Sequence, residues 1–242
     1  MKTRIQSLSR SLALAVGLAV CWLCAIPGLS QDKAKPVEIP GWGRAVDPDG
    51  DSKFTVAGTR LTIGVADTPH ALVIERNQMN APRVVREVEG DFVAHVKVVG
   101  HFPRGAEAKV EGRRPYHSAG LFLAKDNQSY IRLEKAEMVV GADNMTFVGF
   151  ELRDGGVPKR MANGLESPLD PKLEHAFLRL ERAGRTITAS VSEDGVKWKQ
   201  LQPMTMDWPA KLLIGVTAGH NTADPFTPAF EGLSVVKKPA AK

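Results

Sequence analysis

From Asp91 onward, apolar residues fall on every second position (Phe92, Ala94, Val96 and Val98), and similar short runs recur almost to the end of the chain. A period of two is the spacing at which a strand turns alternate side chains to one face, so these runs read as half-buried strands. Breaks rich in Gly, Pro and Asp separate them. The expected strands are residues 54–56, 60–65, 71–74, 83–88, 92–99, 118–124, 130–135, 146–152, 177–181, 186–192, 212–218 and 230–235. Twelve strands are too many for one flat sheet. Two packed antiparallel sheets would bury one face of each, so the expected fold class is all-β, a sandwich. No helical period competes, although residues 166–175 accommodate a turn.

Turn chemistry agrees. Ala183-Gly184 and Asp194-Gly195 stand between alternating runs, which makes 177–201 a hairpin meander. Gly64, Gly120, Gly149 and Gly215 lie inside strand-like runs, where glycine marks a bulge or a close backbone approach more often than a site.

The N-terminus is organised differently. Lys2, Arg4 and Arg10 precede a compact apolar run, 12–25, that ends near Pro27, Gly28 and Ser30. This is the pattern of an export signal over residues 1–30, and the run is too short for a span of about 20 apolar residues. The expected mature chain has no membrane span and is secreted or periplasmic. Cys21 and Cys24 both fall inside the leader, so processing near Ser30 removes every thiol. A lipid-attached form beginning at either cysteine is the alternative. The whole chain carries a net +5, but three of its 32 Lys and Arg lie in the leader, leaving 29 against 27 acids, or +2. No clustered basic stripe remains, and nucleic acid is not an expected partner.

The remaining 212 residues suit one all-β domain. Residues 31–40 read as a flexible lead-in, 41–236 as the sandwich and 237–242 as a frayed tail.

Several segments carry a resemblance: Asp47-Pro-Asp-Gly-Asp-Ser, Asn80-Ala-Pro-Arg, Glu89-Gly-Asp-Phe92, Ser118-Ala-Gly-Leu-Phe-Leu123, Tyr130-Ile-Arg-Leu-Glu134 and Ser192-Glu-Asp-Gly-Val-Lys-Trp198. In this order, over roughly 42–235, they resemble the DUF1349 family, also called regulation-of-enolase-protein-1-like. The resemblance implies a concanavalin A-like lectin/glucanase jelly roll of two curved antiparallel sheets. It implies fold more than function, because fold alone does not fix chemistry.

If Ile131 and Leu133 face the core, Tyr130, Arg132 and Glu134 share the opposite face. The same parity places Glu151, Arg179 and Glu181 outward, with Thr186, Thr188 and Ser190 extending the row. Arg, Glu and Tyr make several directed hydrogen bonds at once, which suits sugar hydroxyls, so Tyr130, Arg132, Glu134, Glu151, Arg179 and Glu181 form the candidate ligand set for a polysaccharide or glycan. The commoner reading of such a row is a solvated face with cross-strand ion pairs. Among the aromatics, Trp198 is expected to anchor the hairpin core and Trp42 to cap a sheet edge, which leaves Trp208 and Tyr116 as contact candidates. Three long connections, 101–117, 154–172 and 219–229, are functional loops or mobile insertions. Arg104, Lys109, Arg113 and Arg114 on the first and Lys159, Arg160 and Lys172 on the second would favour an anionic ligand.

Glycoside hydrolysis needs two carboxylates with separated proton affinities. Glu87, Glu89 and Asp91 are interrupted by Gly90, while Glu134 with Glu151 or Glu181 has Arg132 and Arg179 alongside, expected to hold both acids ionised. No catalytic residue is therefore assigned. Hydrolase or lyase activity and a structural role in the envelope remain the alternatives to noncatalytic recognition. No Gly-x-Ser-x-Gly elbow, His-Glu-x-x-His spacing or phosphate-cradling Gly loop occurs, so neither cofactor nor transition metal is expected. Asp47, Asp49 and Asp51 have the first spacings of a calcium loop, but the glycine is at 50 rather than 52 and Gly58 stands where a bidentate Glu is needed, and an Asp-Pro-Asp-Gly turn explains them better. Asn127-Gln-Ser129 and Asn144-Met-Thr146 match glycan-attachment sequons, relevant only in a host that modifies them.

Overall fold

The computed structural model describes residues 37–100, 102, 107–140, 143–161 and 167–238. The expected export signal at 1–30, most of the expected lead-in, Arg104 and the last four residues lie outside them. Eighteen strands form within the described residues: β1 Glu38–Ile39, β2 Gly43–Val46, β3 Lys53–Ala57, β4 Arg60–Gly64, β5 Leu72–Val73, β6 Gln78–Met79, β7 Arg83–Glu89, β8 Phe92–Val99 and β9 Tyr116–Ala124 come first. They are followed by β10 Tyr130–Val140, β11 Asp143–Asp154, β12 Val157–Arg160, β13 His175–Ala183, β14 Thr186–Ser192, β15 Lys199–Gln200, β16 Met204–Thr205, β17 Lys211–His220 and β18 Ala229–Lys237.

One sheet runs β1-β2-β7-β17-β9-β10-β11-β12 and the other β15-β14-β13-β8-β18-β4-β3, with β16 also paired to β14. Every pairing is antiparallel. The protein is an all-β jelly-roll sandwich. All twelve expected strands appear, except that 71–74 keeps only two strand residues before a 3-10 turn at Ile74–Arg76. The six others, β1, β2, β6, β12, β15 and β16, are two to four residues long, too short to display a period.

Alternation builds the core. Leu121, Leu123, Ile131, Leu133 and Phe150 from the first sheet meet Phe92, Ala94, Val96, Leu178 and Leu180 from the second, all essentially without exposed surface. Trp208 joins this core and its indole N–H donates to Asp154 at 3.1 Å, so it is not the contact residue the sequence suggested; Trp42, between β1 and β2 at the edge of the first sheet, is buried against the same core. Trp198 is not in the core. It lies on the outer face of the second sheet, with the Arg179 guanidinium 4.4 Å from its ring.

The outer face of the first sheet is not bare. A strap made of β5, the 3-10 turn and β6 packs Leu72, with Ala81 just beyond it, on Val85, Phe122, Ala124 and Tyr130, giving a second apolar cluster. The Tyr130 hydroxyl donates to the Leu72 carbonyl at 3.0 Å and accepts the Ile74 N–H at 3.3 Å. From Tyr130 to Ala136, strand β10 is therefore buried on both faces.

The glycines in the strands differ. A Cβ on Gly215 would lie 1.9 Å from the Val84 carbonyl oxygen, whereas one on Gly64 would meet Lys53 Cβ at an ordinary 3.5 Å. Gly215→Ala is expected to cost about 3 kcal/mol or more, since backbone cannot yield as a flexible side chain can. Gly64→Ala should change stability by less than about 1 kcal/mol. Chemical denaturation of the two variants checks the contrast.

Candidate functional site

The register across the first sheet sets the outer face in rows. Tyr130 pairs with Ala124 and Arg153, Arg132 with Phe122 and Glu151, Glu134 with Gly120 and Gly149, and Ala136 with Ser118 and Phe147. Glu134 thus has glycine on both sides. The missing side chains leave a depression there, while the larger neighbours along β10 and β11 raise its rim. A Cβ on Gly120 would sit 2.1 Å from the Leu133 carbonyl oxygen, so the depression cannot be filled without moving backbone.

A cavity of about 410 Å³ opens over this depression. Ser118, Arg132, Glu134, Phe147, Glu151 and Arg153 make its floor. The strap supplies one wall with Leu72, Glu75, Arg76 and Gln78, and Arg113, Arg114, Tyr116 and Asn221 stand on another. Five arginines and three glutamates face one small space.

The charges on the floor are paired and largely dry. Arg132 Nη2 donates to Glu151 Oε2, and its Nη1 lies 3.5 Å from Glu134 Oε2. Arg153 Nη1 donates to the same Glu151 oxygen, while its Nη2 and Nε reach Glu75 at 3.1 and 3.4 Å. Arg153 therefore bolts the strap to the floor by a two-pronged contact. The Arg132 Nε is buried with no hydrogen-bond partner among the described residues.

Burial pushes the Glu151 carboxyl up, but Arg132 and Arg153 on either side overcome it and hold the group at about 2. Glu134 goes the other way: burial dominates, Glu151 adds repulsion, and the pull of Arg132 and of a Ser118 hydrogen bond is insufficient, so its carboxyl is raised. The sequence expectation that arginine would hold both acids ionised is thus corrected for Glu134, because a carboxyl so deeply buried loses more hydration than one shared guanidinium returns. Burial, reinforced by Glu134, also raises the Tyr116 phenol and keeps it a donor.

Of the six predicted ligand residues, the fold brings Arg132, Glu134 and Glu151 together in the cavity, and Tyr130 lies beneath the strap on the same face. Arg179 and Glu181 do not join them. They are on β13, facing out from the second sheet, where Arg179 covers Trp198 and Glu181 pairs with Lys238. Their outward parity was readable, but parity does not say to which sheet a strand belongs. The sequence reading missed Glu75, Arg153 and Ser118. Arg153 shares the parity of Glu151 and was within reach of the same logic, whereas Glu75 arrives by a tertiary contact. Among the contact candidates, Tyr116 lines the cavity, as do Arg113 and Arg114 from the first long connection. Glu87 is on the surface with Lys211 at 2.7 Å, and Asp91 accepts the Gly184 N–H at 2.8 Å, so that acidic run makes surface contacts.

The opposed shifts give opposite pH responses. Glu151, held below its ordinary 4.5, contributes stability above that value which is lost as pH falls toward 2. Glu134 keeps its proton to higher pH than an unfolded chain does, so its contribution declines as pH rises from 4.5 through its raised folded value. At pH 7, Glu151→Gln should lower stability by about 3 kcal/mol or more, and Glu134→Gln should leave it unchanged or raise it. Urea denaturation of both variants from pH 3 to 8 reads the two slopes.

Among curated proteins, none matches the sequence. A functionally unknown protein from Saccharomyces cerevisiae superposes with a TM-score of 0.59 at 13% identity, covering 82% of this chain and 98% of the yeast chain. The GH43 protein BlXynB from Bacillus licheniformis does so with a TM-score of 0.50 at 12% identity, over 74% of this chain and 33% of its own length. A legume lectin-like domain from Entamoeba histolytica gives 0.43 at 10% identity, over 78% and 81% of the two chains. At such identities the likeness is one of fold alone. The sequence itself matches a family profile over residues 69–238, which spans every wall of the cavity, and the chain belongs to that family, DUF1349, described as a protein of unknown function.

Proposed function

We propose that this protein is an exported carbohydrate-recognition module whose ligand is an acidic saccharide held in the cavity over Arg132, Glu134, Glu151 and Arg153. One observation carries the reading: the polar row of the first sheet is a walled cavity with convergent hydrogen-bonding groups, where an ordinary solvated face would be flat and open. A volume of about 410 Å³ fits a small ligand or one end of a chain. The basic and then apolar N-terminal pattern supports export, and among the described residues no helix is long and apolar enough to cross a membrane.

The charge balance selects the saccharide class. Arg132 and Arg153 are committed to glutamates, but Arg113 is depressed by partial burial and then by the like charge of Arg76. An anionic group placed between Arg76 and Arg113 relieves that repulsion, and a sugar carboxylate or sulfate supplies one together with hydroxyls for the floor. The fold relatives include carbohydrate-active proteins, which supports a sugar over other anions.

A second reading has one observation in its favour. A carboxyl leaning toward its protonated form next to one held ionised is the split that acid–base chemistry on glycosidic bonds requires. In that case Glu134 is the acid.

Glycan-array screening and calorimetry against uronate-containing, sulfated and neutral oligosaccharides test both. Recognition predicts binding of the acidic set, weakened at least about tenfold by the double variant Arg76→Ala/Arg113→Ala at unchanged melting temperature, since both side chains are exposed. Turnover of a bound saccharide, abolished by Glu134→Gln with binding retained, moves the assignment to the enzyme reading. Absence of binding to every acidic glycan overturns the proposal.

A further inference from the structure

Behind the strap, three histidines stack. The ring centroids of His70 and His220 are 6.2 Å apart and those of His220 and His117 5.5 Å apart, with planes within 16° and 8° of parallel. Two of them are accounted for as neutral rings. His220 Nε2 faces the Ala66 carbonyl at 2.7 Å and its Nδ1 faces the Thr222 hydroxyl at 3.1 Å, and that hydroxyl is also 3.1 Å from His117 Nε2. A chain of donors satisfies this: His117 Nε2–H to Thr222, Thr222 O–H to His220 Nδ1, and His220 Nε2–H to Ala66. Burial and the neighbouring His220 push His117 down to about 4, in keeping with a neutral ring.

His70 does not fit that scheme. Its Nδ1 lies 2.6 Å from the Thr68 carbonyl oxygen, an acceptor only, so Nδ1 carries the proton. In a neutral ring the Nε2 lone pair would then point at two more acceptors, Asp51 Oδ1 at 3.0 Å and Asp49 Oδ2 at 3.5 Å. The His70 side chain has no exposed surface, so water cannot intervene from its side, while Asp49 and Asp51 are 44% and 36% exposed. Among the described residues, this trio brings its ligand atoms within 4.8 Å of one another.

We propose that Asp49, Asp51 and His70 bind a divalent transition-metal ion of the zinc type. Ligands bonded at about 2.0–2.2 Å and set at tetrahedral or octahedral angles lie roughly 3.0–3.5 Å apart, which is the spacing of Nε2 from the two carboxylate oxygens. A ring that donates Nδ1–H to a carbonyl and presents Nε2 outward is the arrangement in which protein imidazole ligates metals. One proton in place of the ion would leave the site with a net negative charge, whereas a divalent cation cancels both carboxylates. The exposed aspartates give the ion a way in and leave room for water as the remaining ligands. An imidazole among so few ligands disfavours calcium, which takes six to eight oxygens. Asp47, the third acid of the sequence motif, is spent on its own turn, accepting the Gly50 and Ser52 N–H groups at 3.2 and 3.0 Å.

The site does not depend on the saccharide reading, but it is tied to the cavity wall. Asn80 Nδ2 donates to Asp49 Oδ2 at 2.7 Å, and its Oδ1 accepts the Ala71 N–H at 3.0 Å. An ion here fastens the 47–52 turn to the strap.

The test uses the chelator-treated full chain with Cys21→Ser and Cys24→Ser, which removes the thiols as competing ligands. Zn²⁺, Mn²⁺ and Ca²⁺ are titrated singly by calorimetry and by thermal shift, and the His70 ring is followed by nitrogen-detected NMR. The expected result is one Zn²⁺ per chain, a melting temperature raised by roughly 5–10 °C at about 100 times the dissociation constant, and a displaced His70 Nε2 resonance with Nδ1 still protonated. Asp49→Asn and Asp51→Asn, on exposed side chains that keep the fold, should each weaken Zn²⁺ at least tenfold. Three outcomes overturn the proposal: no response to Zn²⁺ with His70 protonated on both nitrogens, Zn²⁺ binding that survives both substitutions, or stabilisation by Ca²⁺ and not by Zn²⁺.

Discussion

Covering β10 on both faces is the constraint on which the remaining features rest. Ile131 and Leu133 enter the sandwich core as alternation requires, and the opposite side of the same strand, Tyr130, Arg132 and Glu134, is covered as well. Apolar residues alone could have filled that second face. Instead it carries an arginine, and a buried guanidinium is tolerable only with compensation close by. Glu151 comes from the adjacent strand in register with Arg132, and Arg153 and Glu75 extend the network to the strap. The network thus runs from the sheet floor to the piece of chain that covers it.

That arrangement separates two chemically identical side chains. Glu151 receives two guanidinium groups and stays ionised, while Glu134 has a share of one and sits between glycines on a floor from which water is largely excluded. The difference follows from strand register: moving β11 by one pair relative to β10 would place Glu151 in the core and break the network. Register, fixed by the oily faces of β10 and β11, therefore sets the electrostatics of the cavity.

Much of this was legible in the residues. Period-two runs located every long strand, and parity put Arg132, Glu134 and Glu151 on one face because those runs are long enough to fix phase. What the period could not show was the partner of a face. Tyr130 was expected in water, yet Leu72 and Ile74, from a segment that reads as an ordinary strand, lie across it. Arg179 and Glu181 have the same local pattern as Arg132 and Glu134 and differ only in which sheet their strand joins, a fact held by pairings between residues about eighty positions apart. The Asp47-Asp49-Asp51 spacing drew attention to a calcium-like loop, but His70, the residue that changes the chemistry of that cluster, is remote in sequence and was invisible to any spacing rule.

The strap joins these elements into one mechanical unit. Its centre is held to the floor by Arg153 on Glu75 and by the Tyr130 hydroxyl. Its leading end is held by paired backbone bonds between His70 and His220, at a point where a Cβ on Gly219 would lie 2.6 Å from the His70 carbonyl oxygen. Asn80 holds the trailing end by bonding both Ala71 and Asp49. The first anchor is a part-buried ion pair beside a buried phenol, the second is backbone packing that requires glycine, and the third depends on the half-exposed Asp49. Because the aspartate anchor is the most accessible to solvent and ions, it is where the wall of the cavity is easiest to tighten or release without disturbing the sandwich beneath it.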